Sequence, residues 1–172
     1  GLCTAGVRDL VMSPGSRSTA LVLAASEHPT LRVHVHVDER VASFFALGQA
    51  RATGRPTALL CTSGTAGAHW LPAVIEASLT QIPLVCVTAD RPWEAYDCAA
   101  PQTIDQTDLF GHHVRHRAEL GAPTTVPSAL RASLGLAPHG SNSPLHHQIR
   151  LLPSARARRR LCAVTTARDT SP

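Results

Sequence analysis

The sequence predicts an α/β domain, a parallel sheet flanked by helices, and three observations carry that expectation. Apolar, β-branched runs recur through the first 90 residues, each stops at glycine or polar residues, and each is followed by a helical pattern. That βαβ rhythm calls for crossover helices, so the strands run parallel and the sheet is covered. The length of 172 residues, with 44% hydrophobic and 16% charged, suffices for one domain with a real core.

The first strand is expected at 9–12, running into Ser13-Pro14-Gly15-Ser16-Arg17-Ser18 and then a helix over 19–27. The second, 31–37, alternates strictly. Leu31, Val33, Val35 and Val37 face one way and Arg32, His34, His36 and Asp38 the other, so one strand face meets a polar cavity or water. A helix follows from Glu39 to about Thr53, with Ala42, Phe45, Ala46 and Gln49 near one stripe. Gly54 supplies its left-handed stop and Pro56 confirms the break. A third strand is expected at 57–61, a loop at TSGTAG, a helix at 66–80 and a fourth strand at 83–88.

All 16 basic residues are Arg, against 12 acids, for a formal net charge of +4. The excess is uneven: residues 1–120 hold 9 Arg and 11 acids, whereas 121–172 hold 7 Arg and 1 acid. A footprint for nucleic-acid phosphate belongs on a folded face and not on a terminal segment alone, so nucleic acid is not the expected partner. The six aromatic residues all lie between 44 and 110, and beyond about 120 the chain turns to Pro, Ser, His and Arg. Residues 1–136 are therefore assigned to the α/β domain, with a short helix around 128–136, and 137–172 to an Arg/Pro/Ser-rich tail expected to be disordered or not family-like. Its SARARRR run at 154–160 reads as a solvated segment, with a weak anion or nucleic-acid contact as the alternative.

Five cysteines (Cys3, Cys61, Cys86, Cys98, Cys162) are odd in number, widely spaced and without CxxC, which excludes a disulfide framework and a structural zinc site. Small buried thiols are the expectation. No stretch approaches the ~18 consecutive apolar residues of a membrane helix and no leader pattern is present, so a soluble cytoplasmic protein is expected. The chain opens at Gly1 on what resembles the end of a helix, and its natural start is expected upstream.

In parallel α/β sheets ligands bind beyond the carboxyl ends of the strands. The polar clusters lie in those loops: the SPGSRS segment, Asp38-Glu39-Arg40, Thr62-Ser63-Gly64-Thr65 and Ala89-Asp90-Arg91-Pro92. Their hydroxyls, helix-start N–H groups and arginines suit an anionic ligand bearing carboxylates or phosphate. Each also has a plainer reading. Asp38 is an N-cap with Glu39 favouring the helix dipole, TSGT is a tight turn, and SPGSRS lacks both glycine-rich phosphate-loop patterns. His112 and His116 stand at helical spacing and read as surface or capping residues, as do His34 and His36.

Taken in order, SPGSRSTALVLAASEHP, HVHVDER with FFALGQARATGRP, CTSGTAG with LPAVIEA, VTADRP, and DC with QTIDQ resemble one family. It is the 2-succinyl-5-enolpyruvyl-6-hydroxy-3-cyclohexene-1-carboxylate synthases of menaquinone biosynthesis, which are thiamine diphosphate enzymes. The resemblance runs from about Gly6 to Leu120 and covers the N-terminal pyrimidine-binding domain. It implies the thiamine diphosphate-binding fold, with magnesium and thiamine diphosphate as cofactors, and a transferase that decarboxylates 2-oxoglutarate and adds the succinyl unit to isochorismate.

These enzymes need a carboxyl group beside the aminopyrimidine ring to share a proton with a ring nitrogen. Glu39 matches that residue, and desolvation is expected to raise its pKa. By resemblance Ser16, Arg17, Arg91 and Gln102 contact substrate carboxylate, a task the planar Arg fork suits. The sequence departs from the family at Ala99 and Pro101, where Gly and Asn are usual, and at His69 and Trp70.

No GDG motif with a downstream Asn is present, so the magnesium and diphosphate half-site is absent from this chain. The family builds its active site between subunits of a dimer or tetramer. The chain thus resembles a fragment, or the product of a frameshifted gene end, with no turnover of its own and cofactor affinity near ~1 mM or weaker. A non-catalytic binding module or partner subunit is the alternative, followed by a nucleic-acid binder acting through the Arg-rich tail.

Overall fold

The structure, a computed structural model, describes residues 2–120 and 146–152. In chain order the elements are β1 (Asp9–Met12), α1 (Thr19–Ser26), β2 (Arg32–Val35), α2 (Glu39–Thr53), β3 (Thr57–Cys61), α3 (Leu71–Thr80), β4 (Leu84–Asp90), β5 (His116–Leu120) and β6 (His146–Leu152). They form one sheet in the order β2-β1-β3-β4-β6-β5. Strands β1 to β4 pair in parallel, as the βαβ rhythm requires.

Strands β1, β3 and β4 are buried on both faces, which is why their sequences are apolar runs with no polar alternation. Alternate residues feed two cores. Val11, Leu59, Cys61, Leu84 and Cys86 pack with Ala42, Ala46 and Ala50 of α2 and Val74 and Ala77 of α3. On the other face Leu10, Met12, Ala58, Leu60, Val85 and Val87 meet Ala25 of α1, with Leu21 and Val22 at its margin. The sheet is thus sandwiched between α1 and the α2–α3 pair.

Helix α2 spans the expected residues, and its C-cap Gly54 takes φ 65° while its N–H donates to Ala50. The helix expected over 66–80 divides in two. Residues Gly64–Trp70 wind as a 3-10 helix, and the α-helix begins at Leu71. Pro72 explains the break, because it has no N–H to give to the carbonyl four residues back and is tolerated only in a first turn.

Strand β2 is shorter than the expected 31–37 and lies at the sheet edge. Its alternation does not sort buried valine from exposed histidine, since Val35 is 61% and Val37 85% exposed. Both faces are partly packed, with Leu31 and Val33 against the α1-side core. His34 lies 3.1 Å from both Asp9 Oδ1 and the Gln49 side-chain amide, and its ring centroid stands 5.4 Å from that of Phe45.

Strand β6 lies within 137–172, the segment expected to be disordered or not family-like. It pairs antiparallel with β4 from Leu84↔Leu152 to Asp90↔His146, and β5 pairs beyond it. The outer edge of β4 offers a row of backbone N–H and C=O groups, and a strand can satisfy them whatever its composition suggests. The domain boundary at 136 and the helix expected around 128–136 fall outside the described residues.

Asp9 clamps the edge strand to the sheet. Its carboxylate is 2% exposed and accepts from Arg32 Nε at 2.8 Å and Nη2 at 2.9 Å, with His34 Nε2 close by. Burial raises its pKa, but the hydrogen bonds and charges of Arg32 and His34 outweigh burial and leave it below the usual 3.8. A depressed carboxyl contributes stability that is present above the unfolded pKa and is lost as pH falls through the folded one.

Neutralising Asp9 lets Arg32, whose side chain is 63% exposed, return to water, whereas removing Arg32 leaves a buried carboxylate. Solvent screening of Arg32 keeps both effects modest, so urea unfolding near neutral pH should show about 1 kcal/mol lost in Asp9→Asn and about 2 kcal/mol in Arg32→Ala. The Asp9→Asn chain should also lose less stability than the parent on acidification below about pH 4. Equal costs, or an unchanged acid response, would remove the clamp from the account.

Candidate functional site

Strand β1 pairs with β2 on one side and β3 on the other, so the segments leaving the carboxyl ends of β1 and β3 diverge above the sheet. Two glycines let the turns at this end of the sheet approach one another closely. A Cβ on Gly15 would stand 2.3 Å from Thr62 Cβ, far inside contact distance, so the turn after β1 can press on the turn after β3 only without a side chain. Gly64, at φ 77°, lies where a Cβ would meet Gln102 Cα at 3.0 Å. The result is a crevice of about 570 Å³ lined by Pro14, Glu39, Thr62, Ser63, His69 and Gln102 among others.

Asp38 sets the position of Glu39. Its extended backbone caps α2, and Oδ1 accepts from the N–H of Arg40 at 2.8 Å and of Val41 at 3.4 Å. The Arg40 side chain returns to the same carboxylate at 2.6 Å. That side-chain bond and then the Arg40 N–H hold the Asp38 carboxyl well below its usual range. The plain reading of Asp38 as an N-cap is correct. It leaves Glu39, half-buried, to face the crevice. Beneath, burial first and the Glu39 charge second push the Cys61 thiol up, so it stays protonated.

The wall opposite comes from the segment after β4. Asp90 is fully buried and accepts the Arg91 N–H at 2.7 Å and the Tyr96 hydroxyl at 2.9 Å, while buried Gln106 donates to the Ala89 carbonyl at 3.0 Å. Between these anchors Asp97, Ala99 and Gln102 adopt left-handed φ values of 56°, 56° and 55°. Each costs about 1 kcal/mol or more for a residue with a Cβ, so the segment is held under strain. At Ala99 the backbone takes a conformation that glycine adopts freely and alanine does not.

Ser13 Oγ, Thr62 Oγ1, Ser63 Oγ and Arg91 Nε are buried with no partner among the described residues. A buried polar atom left dry costs about 1–3 kcal/mol, so this end of the sheet is built to meet something polar. The structure brings Glu39 and Gln102 to one crevice. Ser16, exposed, and Arg17, half-buried, lie in the 3-10 turn Ser16–Ser18, and Arg91, half-buried, follows β4; these three stand outside the crevice lining.

His69 went unnoticed as a lining residue, because its distance from TSGT reveals its direction only once the intervening turn is known to be 3-10. Trp70 beside it is fully buried. The helical spacing of His112 and His116 is not realised: the first lies in a 3-10 turn and the second opens β5. Cys61 and Cys86 are buried as expected, but Cys3 and Cys98 are not. No three His, Cys, Asp or Glu among the described residues gather to hold a metal ion. No helix among them is long and apolar enough to cross a membrane.

A parallel sheet with a carboxyl group at the switch-point crevice is the arrangement of a cofactor-binding domain, and comparison defines the class. Residues 1–109 match the family described as thiamine pyrophosphate enzyme, N-terminal TPP binding domain, and the chain belongs to it.

Among individual relatives, the 2-succinyl-5-enolpyruvyl-6-hydroxy-3-cyclohexene-1-carboxylate synthase of Sorangium cellulosum is 66% identical over 131 residues, 76% of this chain and 21% of the relative. The protein of that name from Chloroflexus aurantiacus is 58% identical over 137 residues, 79% of this chain and 23% of the relative. That from Listeria innocua is 54% identical over 130 residues, 76% of this chain and 22% of the relative. The chain thus spans little more than a fifth of the length of the curated relatives it matches. A matched stretch of 137 residues also outruns 6–120, so the likeness extends further than the sequence motifs suggested.

The Gly15–Thr62 contact gives a direct test. Gly15→Ala should cost about 3 kcal/mol, at the upper end for overpacking, because both clashing atoms are fixed to backbone. Thr62→Ser should not rescue it, since Ser keeps the offending Cβ, whereas Thr62→Gly should recover part of the loss in thermal unfolding. A well-tolerated Gly15→Ala would show that the two turns do not meet.

Proposed function

We propose that this chain supplies the pyrimidine-binding part of a 2-succinyl-5-enolpyruvyl-6-hydroxy-3-cyclohexene-1-carboxylate synthase, a cytoplasmic transferase of menaquinone biosynthesis. One observation carries the reading: Glu39 stands at the head of α2 and faces the crevice between the carboxyl ends of β1 and β3. When bound, thiamine diphosphate supplies the carbon nucleophile that takes up 2-oxoglutarate, with loss of carbon dioxide, for addition to isochorismate. In this chain Glu39 holds the aminopyrimidine ring and shares a proton with its ring nitrogen. Gln102 closes the same crevice, and Ser16, Arg17 and Arg91 provide donors around it for substrate carboxylates.

The residues present fit the ring end of the cofactor. Among the described residues no three His, Cys, Asp or Glu gather to hold magnesium, and this reading places the magnesium and diphosphate half-site on a partner domain. Val37, Val41, Phe44 and Phe45 flank Glu39 along the chain and are all exposed, Val37 at 85% and Phe44 at 51%. Exposed apolar side chains of this size favour a protein partner, and a homo-oligomeric arrangement with shared sites suits it. Such a partner would complete the desolvation of Glu39, which is only half-buried in the single chain.

Calorimetric titration of thiamine diphosphate and magnesium into the chain tests this reading. Half a site should bind with Kd near ~1 mM or weaker, and Glu39→Gln should weaken it about tenfold, near 1.4 kcal/mol. Binding that ignores the substitution would remove Glu39 from the site. Micromolar affinity would mean that the chain itself provides the diphosphate contacts.

A further inference from the structure

The end of the sheet opposite the crevice gathers three arginines from three connections. Arg8 precedes β1, Arg32 opens β2 and Arg55 lies in the turn between α2 and β3. With Pro29, Thr30 and Leu31 they line a cleft of about 250 Å³. Their hydrogen-bonding duties differ. Arg8 Nη1 donates to the carbonyls of Cys3 at 2.8 Å and Val7 at 3.0 Å, which fixes the guanidinium and leaves its other N–H groups without an assigned acceptor. Arg32 commits Nε and Nη2 to Asp9 and keeps Nη1. The Arg55 side chain makes no hydrogen bond or ion pair among the described residues.

Charge decides what such a cleft can take. Asp9 cancels Arg32, and among the described residues no acidic side chain lines the cleft itself. The C-terminal ends of α1, at Ser26, and α2, at Thr53, each add about half a negative charge near the cleft, so the balance is roughly +1. That favours a small anion. A carboxylate offers two oxygens in one plane and is satisfied by a single fork. A phosphate offers oxygens in three directions, matching guanidinium groups that arrive from three different segments of the chain.

We propose that the Arg8–Arg32–Arg55 cleft is a second anion site, for phosphate or the phosphate group of a monoester, separated from the crevice by the length of the strands. It does not rest on the proposed function. Two available guanidinium groups in an open cleft give weak binding, with Kd of about 1 mM at low ionic strength, weakening as salt screens the exposed charges.

The test is an NMR titration of the full chain with inorganic phosphate in dilute buffer, read at the amides of Arg8, Thr30, Arg32 and Arg55. Saturable shifts at these residues are expected. Arg55→Ala, an exposed substitution that leaves the Asp9 clamp intact, should weaken binding about fivefold or more, while Glu39→Gln should leave it unchanged. Succinate in place of phosphate should bind more weakly. The proposal is overturned if phosphate produces no shifts there up to ~20 mM, about twentyfold above the expected Kd. It is overturned equally if Arg55→Ala is without effect, or if succinate binds as well as phosphate.

Discussion

The approach of Gly15 to Thr62 is the constraint on which the rest of the molecule depends. The turns after β1 and β3 meet so closely that a Cβ at position 15 would lie 2.3 Å from that of Thr62. With that contact made, the floor of the crevice is fixed and the hydroxyls of Thr62 and Ser63 are buried beneath it. Glu39 then reaches the same space from the far side of β1, because β2 is locked in register by Asp9. The chemistry assigned to the crevice is therefore a consequence of backbone proximity more than of any single side chain.

Much of this was visible in the residues. Apolar runs broken by Gly and polar residues fixed the order of β1 to β4, and the Asp38 cap with Gly54 at the far end fixed both boundaries of α2. Those signals are local: they depend on capping and on strands buried from both sides. What escaped was non-local. Strand β6 pairs with an edge that no composition describes, and the exposed valines of β2 depend on its place at the sheet margin. Pro72 was in view, yet its effect on the preceding turn, and hence the direction of His69, required the 3-10 geometry to be known.

The candidate site divides along the same line. Glu39 and Gln102 were named from sequence resemblance, and both line the crevice. Ser16, Arg17 and Arg91 were named in the same way but stand outside the crevice lining. The strained backbone at Asp97, Ala99 and Gln102 lies in the segment that brings Gln102 to the crevice. Strain of this kind persists where the surroundings over-determine a conformation, and here the anchors are Asp90 with Tyr96 on one side and Gln106 on the other.

The central claim is that the crevice between β1 and β3 receives an aminopyrimidine ring against Glu39. The most direct measurement is an NMR titration of the chain with thiamine, which carries the ring but no phosphate and so removes the diphosphate from consideration. The account predicts shifts confined to the amides of Glu39, Thr62, Gly64 and Gln102. Shifts at the Arg8–Arg55 end of the sheet, or none at the crevice, would contradict it.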